Sequence, residues 1–526
     1  MKRFLTLFVL SILMATSVLT YVARAEDAGN TKDAILVAAD DAEKPKNTNE
    51  DANKIKGESP YLKNTTLFIP GVLSFTLGGF IEAAGIYRSR NLESDMASNF
   101  SKLPLPGVAI TGSFPGSYYQ HEFRFSARQS RLSLLSKDDI GGDIHIAGYY
   151  EMDFLGAAGT ANANESNSFT PRIRQLYATV DWDKYGLHLL AGQAWSLVTM
   201  NAEGISPLTY VSPKTIDAQY VPGFTWTRQP QMRIVKDFGK IFWIGVSIEN
   251  PQTTIFTASG ASVYTNLATG ALTGGNFDPY GKQSVNDCPD GVLKLALDPG
   301  WGHIEVFDLA RSFLSSEGVA VNFGGTTGTV VFPPANHHTI TNAWGGSVIL
   351  PIVKKILELQ ASGIYGRGIG RYGSAQLPDA TQSIKGAVIP LTGWHMLFGL
   401  VINPIEDLTF YGYAGEEQVK YKNYYNPTNF SSGSNLVYGY GNPLANNLFV
   451  GGNALGVGTL PGAFSGNIKQ VAQATIGMWW KFLKGKFGNT QLGLQYSYTS
   501  NKYFSALGGA PRTNNQMAFL SMRYYW

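Results

Sequence analysis

Seven arginines fall inside three of the segments that read as β-strands: Arg124, Arg128 and Arg131 in the second, Arg172 and Arg174 in the fourth, Arg228 and Arg233 in the sixth. A guanidinium stays charged at every accessible pH and grips carboxylates or phosphates through two parallel N–H donors. Rows of arginines on a strand wall can therefore attract and orient anions. They can equally brace the wall by pairing with acids, and Glu151, Asp153 and Glu203 are available for that. The two roles are compatible, because a pore needs opposite charges across its narrow point to set up a transverse field. One environment is excluded for most of them. An arginine on a lipid-facing strand costs about 2–4 kcal/mol near the midplane, so the side chains must turn inward, meet a loop, or sit at headgroup level.

Other chemistries find little support. Seven histidines are scattered, and no Gly-x-Ser-x-Gly or comparable nucleophile motif is present. An enzymatic reading would need a nucleophile with a base in hydrogen-bond reach. His145 reads as a polar inward residue, and His337-His338 as loop residues without an acidic or cysteine partner for a metal. Glycine pairs such as Gly451-Gly452 mark loops rather than phosphate cradles. No cofactor, metal or catalytic residue is expected. Cys288 is the only cysteine, so the fold closes without a disulfide.

The strands that carry the arginines belong to a longer series. Sixteen segments between Gly71 and Trp526 alternate apolar and polar residues with a period of two. Ile144, Ile146, Tyr150, Met152 and Phe154 oppose Asp143, His145, Glu151 and Asp153. Ala518, Leu520, Met522, Tyr524 and Trp526 oppose Met517, Phe519, Ser521, Arg523 and Tyr525. Tight turns alternate with long segments, among them 91–120, 156–168, 197–218, 250–290, 367–390 and 421–469. That alternation predicts an all-β fold: a transmembrane antiparallel β-barrel of about sixteen strands, with short periplasmic turns and long extracellular loops. The sixth strand is predicted over 219–236, and a bulge near Gln129 would reconcile opposite parities within the second. The segment 197–218, with Glu203, Lys214 and Asp217, is the predicted constricting loop.

Composition agrees. Aromatics are 13% and charged residues 15%, rich and poor respectively against an ordinary soluble domain and suited to interfacial girdles. Residues 1–25 read as a signal peptide: Lys2 and Arg3, an apolar run to Val22, then Ala23-Arg24-Ala25. Without Lys2, Arg3 and Arg24 the chain carries 38 residues of each sign, which argues against a nucleic-acid partner. Residues 26–66 read as a flexible periplasmic arm, and 67–526 as the barrel.

The stretches ARQSRLSL (127–134), YYEMDF (149–154), PRIRQLYATV (171–180), LLAGQAWS (189–196) and RQPQMR (228–233) resemble, in order and spacing, the DcaP-like group of outer-membrane porins. The match covers about residues 71–236. The resemblance implies a homotrimeric, roughly sixteen-stranded channel for small, often negatively charged organic solutes. It places Arg128, Arg131, Arg172, Arg174, Gln193, Trp195, Arg228, Gln229 and Arg233 at matching positions. One departure stands: that group often carries an amino-terminal coiled coil, and no heptad repeat marks residues 26–66. The expectation is a passive porin in the outer-membrane lipid of a Gram-negative-type bacterium, with small anionic solutes as its partners. The alternative is a plugged barrel acting as an adhesin or scaffold through its long loops.

Overall fold

The computed structural model describes residues 62–63, 66–69, 73–92, 94–105, 118, 120–156, 170–256, 287–315, 319–322, 329–332, 336–383, 387–424, 438–441, 467–485, 488–505, 510 and 512–526. The expected signal peptide, the arm up to residue 61 and much of the long segments 156–168, 250–290 and 421–469 lie outside the described residues.

Sixteen strands form one wall. They are β1 Leu73–Arg88, β2 Glu122–Ser126 continued by Arg131–Gly141, β3 Ile144–Gly156, β4 Thr170–Trp182, β5 Leu187–Trp195, β6 Arg228–Phe238, β7 Phe242–Glu249 and β8 Asp290–Leu297. The second half comprises β9 His303–Ser315, β10 His337–Val353, β11 Leu357–Arg367, β12 Thr392–Ile405, β13 Leu408–Val419, β14 Ile468–Gly485, β15 Gly488–Tyr503 and β16 Arg512–Tyr525. Each pairs antiparallel with its neighbours in sequence, and β16 returns to β1 with Tyr525 opposite Phe80. Closure leaves no strand edge, the condition for a sheet to stand in lipid. Leu62–Lys63 and Thr66–Ile69 form a hairpin whose second arm pairs with Leu73–Thr76 of β1. The sheet thus begins before residue 67, in what the sequence suggested was arm.

Alternation decides which side each residue faces. Along β16, Leu520, Met522 and Tyr524 are exposed on the outside, while Phe519, Ser521 and Arg523 are buried on the inside. In β2, Phe123 and Phe125 face outward at odd positions and Leu134 at an even one. Residues 127–130 between them leave the strand, the irregularity expected near Gln129.

The packed core lies inside the barrel. Among the described residues, three segments from the long-loop end turn inward: 89–92 with 94–105, 196–227, and 368–383 with 387–391. Only the second was expected to do so, and it is longer than predicted. Residues 219–227 are not strand, and β6 starts at Arg228. Tyr220 and Gly223 take positive φ there, so the chain bends away from the wall despite its apolar composition. Trp195, Met200, Ile216, Phe224 and Trp226 pack against Leu397, Val401, Tyr411, Tyr413 and Trp479 of β12–β14. Full burial of each such side chain stabilises by about 1.5–3 kcal/mol.

Gly223 marks the tightest approach. Its φ is 93°, and a Cβ there would lie 2.0 Å from the Met396 carbonyl oxygen. Gly223→Ala is expected to unseat residues 196–227 while the sixteen strands stay paired. Limited proteolysis should then cut this segment with the strand signal in far-ultraviolet circular dichroism unchanged. A variant as resistant as the parent would show that the close approach does not hold the loop.

Candidate pore constriction

Irregular backbone inside a barrel needs acceptors for its N–H groups, and wall carboxylates supply them. Glu249 accepts from Leu197 N (2.9 Å), Glu305 from Asn201 N (3.2 Å) and Asp298 from Gly204 N (2.9 Å). Glu417 Oε1 accepts from Gly223 N at 2.9 Å and from Ala375 N at 2.8 Å, pinning two inward segments to one side chain. Farther along, Lys214 N donates to Tyr413 OH (3.2 Å), and Trp479 Nε1 donates to the Lys214 carbonyl (2.8 Å). The segment 196–227 is thereby stretched from β5 to the opposite wall.

Facing it is the arginine wall. Glu151 and Asp153 of β3 point inward and are buried. Arg172 grips Asp153 with a two-bond fork, Nε to Oδ1 at 3.0 Å and Nη2 to Oδ2 at 2.7 Å. Arg174 spans both acids, Nε to Glu151 Oε1 at 2.6 Å and Nη1 to Asp153 Oδ2 at 3.0 Å, and its Nη2 donates to Tyr220 OH at 3.3 Å. Arg131 Nη1 is 3.8 Å from Glu151. Arg523 of β16 completes the row. It lies 3.2 Å from Glu82 and packs its guanidinium over the rings of Phe80 (4.6 Å) and Trp479 (4.4 Å).

Between wall and loop is a void of about 20 Å³, bordered by Gln129, Arg131, Arg174 and Arg523 on one side and Lys214, Asp217 and Tyr220 on the other. That is room for about one water molecule. Asp217 accepts from Ser98 N (3.1 Å) and Gln219 N (2.9 Å), and burial raises its carboxyl above the ordinary value against those bonds. Beneath the loop the lumen widens to a vestibule of about 1150 Å³, lined largely by residues at the short-turn end.

The seven sequence-predicted arginines separate into distinct positions. Arg131 and Arg174 border the narrow point, and Arg172 stands beside them, partly exposed. Arg228 lies with its guanidinium 5.1 Å from the Trp195 ring and 5.7 Å from that of Trp226, and its buried Nη1 has no hydrogen-bond partner among the described residues. The other three are elsewhere. Arg128 is a strut, paired with Asp95 and donating to the carbonyls of Phe154 (3.0 Å) and Gly156 (2.8 Å). Arg233 ties the Trp195 carbonyl (2.6 Å) to Gln231. Arg124 pairs with Glu122 near the long-loop end at 3.0 Å, half-exposed.

Of the three acids, Glu151 and Asp153 take the bracing role the sequence allowed them, and Glu203 does not. Glu151 and Asp153 neutralise arginines of the adjoining strands rather than meeting the loop across the lumen. Glu203 is exposed and lines the vestibule; the loop turns its 213–220 stretch, not its start, toward the arginines. Arg523 escaped the sequence reading because it stands alone in its strand, although its inward parity was legible. His337-His338 also needs correction. Both belong to β10, and His338 Nε2 lies 2.7 Å from Ser312 Oγ and 3.4 Å from Asp287. Asp287 approaches the same ring nitrogen as the serine, so it does not orient that imidazole as the third member of a hydrolase relay would. Cys288 is a free, exposed thiol, and no metal-binding group of three or more His, Cys, Asp or Glu exists among the described residues.

Breaking a buried pair from one side leaves the other charge uncompensated, at about 3–5 kcal/mol. Glu151→Ala, which leaves the buried Arg174 to share Asp153 with Arg172, should lower the temperature at which the folded barrel loses its compact electrophoretic mobility. An unshifted transition would mean that water replaces the carboxylate at little cost.

No protein-family profile matches the chain, and no curated protein matches it by sequence. Solved structures do. The crystal structure of the outer-membrane channel DcaP of Acinetobacter baumannii superposes with a TM-score of 0.56 at 15% identity, covering 87% of this chain and 99% of that one. An anion-selective porin from Comamonas acidovorans gives 0.44 at 10% identity, covering 86% and 100%. Salmonella typhi OmpF in complex with daunomycin gives 0.42 at 10%, covering 88% and 100%. At these identities the likeness is one of fold, and it is carried by the first. The closed wall, the inward segments and that superposition lead to one conclusion: the chain is a sixteen-stranded barrel with the fold of the DcaP outer-membrane channel.

Proposed function

We propose that the protein is an outer-membrane porin through which small anionic solutes diffuse passively. The observation that carries this reading is the charge arrangement at the narrow point. Arg131, Arg174 and Arg523 on the wall and Lys214 on the loop surround it, against Asp153 and Asp217. With the paired Glu82 and Glu151 behind them and Arg172 and Arg228 beside them, six cations stand against four carboxylates; that excess favours anions, and the opposed signs set up a transverse field. Arg228 adds a buried guanidinium whose Nη1 no described residue engages. The named DcaP channel supports transport as the purpose of the fold. Export by a cleaved signal at residues 1–25, residence in outer-membrane lipid and assembly as a homotrimer belong to the same proposal, the last from family resemblance. It assigns no catalytic step and no cofactor.

A second reading has its own observation. Three inward segments leave a void of only about 20 Å³ at the narrow point, which suits a plugged barrel working through its long loops. Solute flux separates the two, since a plugged barrel should not swell liposomes.

Single-channel recording in a planar bilayer under a potassium chloride gradient tests the proposal. The parent protein should be anion-selective. Replacing Arg131, Arg172, Arg174 and Arg523 with glutamine should move the reversal potential toward cations. An unchanged reversal potential would discard the arginine constriction and keep the pore; absence of conductance from folded protein would favour the plugged barrel.

A further inference from the structure

At the short-turn end, five inward-facing residues form a row across β2–β6. Asp139 stands opposite His145, His145 opposite Asp181, and Asp181 opposite His188, with Asp237 of β6 next to it. The acid–imidazole alternation is realised in contacts. His145 Nδ1 is 2.5 Å from Asp139 Oδ1, and its Nε2 is 3.4 Å from Asp183 Oδ2. His188 Nδ1 is 2.7 Å from Asp181 Oδ1, and its Nε2 is 3.1 Å from Asp237 Oδ2. Trp243 of β7 lies against the His188 ring at 5.7 Å.

Each imidazole is thus bracketed by two carboxylates of different origin, yet neither is sealed. His145, Asp181, Asp183 and His188 line the vestibule through which any permeating ion must pass. The His145 side chain is 42% exposed and that of His188 23%, so protons and ions reach both. The arginine constriction lies beyond the loop, and its guanidinium charges do not titrate. Imidazole is the side chain whose ordinary pKa lies within the physiological range.

We propose that this row is a second charge-selective station, at the periplasmic mouth, whose strength is set by periplasmic pH; it rests on the channel reading above. With both imidazoles neutral, Asp139, Asp181, Asp183 and Asp237 give the station four negative charges. Protonation of His145 and His188 halves that. The mouth therefore opposes anion passage most on the alkaline side, where the bracketed imidazoles are neutral, and relaxes as the periplasm acidifies, in series with a constriction of fixed sign. Lys240 lines the vestibule near the His188 end, and Lys354, Lys355 and Lys481 with Glu358 and Glu406 line it elsewhere; the imidazoles supply the part of the field that changes over this range. His303, bonded to Asp298 (2.6 Å) and Glu305 (3.1 Å), is the third bracketed imidazole at this end. Its side chain is buried in the vestibule wall, so a smaller part of the sided shift persists when His145 and His188 are replaced.

The test uses the complete mature protein in oriented planar bilayers, with each compartment titrated separately between about pH 8 and about pH 5. Salt is held near 0.1 M, where screening reaches about 10 Å. Acidifying the short-turn side should move the reversal potential toward anions more than acidifying the long-loop side. In the H145N/H188N double variant, that sided shift, referred to the variant's own value at alkaline pH, should fall by about half or more. A shift equal from both sides, or one undiminished in the double variant, would overturn the station and leave the channel standing. Should the double variant not fold, sidedness in the parent protein decides the matter alone. Folded protein without conductance overturns the channel reading and the station together.

Discussion

Everything in this molecule follows from the pairing of β16 with β1. A strand edge in lipid leaves backbone groups unsatisfied at several kcal/mol each, so a wall of sixteen strands is tenable only as a ring. Once Tyr525 lies opposite Phe80, alternate residues of every strand must face lipid and the remainder must face the lumen. Apolar side chains that would form the core of a soluble sheet are committed to the outside. The lumen receives arginines, acids, glutamines and tyrosines, together with apolar residues such as Leu397, Val401 and Trp479 on which the inward segments pack.

A lumen so furnished poses a second problem, because the inward segments bring irregular backbone into it. The solution is a set of buried wall carboxylates. Glu249, Glu305 and Glu417 each accept N–H groups from segment 196–227, and Glu417 serves segment 368–391 as well. Bonds to an ionised acceptor are the stronger kind, and each carboxylate fixes one point of a loop that crosses the barrel. Apolar packing then takes over, with Trp195, Phe224 and Trp226 filling the space between that loop and the tyrosines of β13. Hydrogen bonds give the crossing its register and burial gives it stability.

The electrostatics divide along the barrel axis. Around the void beside the loop the arginines are dense and partly neutralised by acids one strand away. Fork geometry between Arg172 and Asp153 aims guanidinium edges rather than merely placing charge. At the short-turn end aspartates are interleaved with imidazoles across β2–β6, and lysines line the same vestibule.

By itself the sequence determined the class, the strand count and the facing of most wall residues. Those follow from local constraints: a period of two, tight turns alternating with long segments, and the cost of arginine in lipid. The inward direction of Arg131 and His145 was legible for the same reason, and so was the break near Gln129; Arg174 shares the parity of the outward-facing Leu176 and turns inward at a register shift beside it. What only the tertiary structure decided depends on residues far apart in the chain. Arg523 joins Arg131 because the last strand returns to the first. Asp217 meets the arginines because Glu305, Glu417 and Trp479 hold the loop at distant points. Tyr220 to Trp226 mimic a strand in composition, and left-handed backbone at Tyr220 and Gly223 turns them into the lumen instead. Periodicity fixes a face, but it carries no information about which residues across a closed ring will be opposite one another.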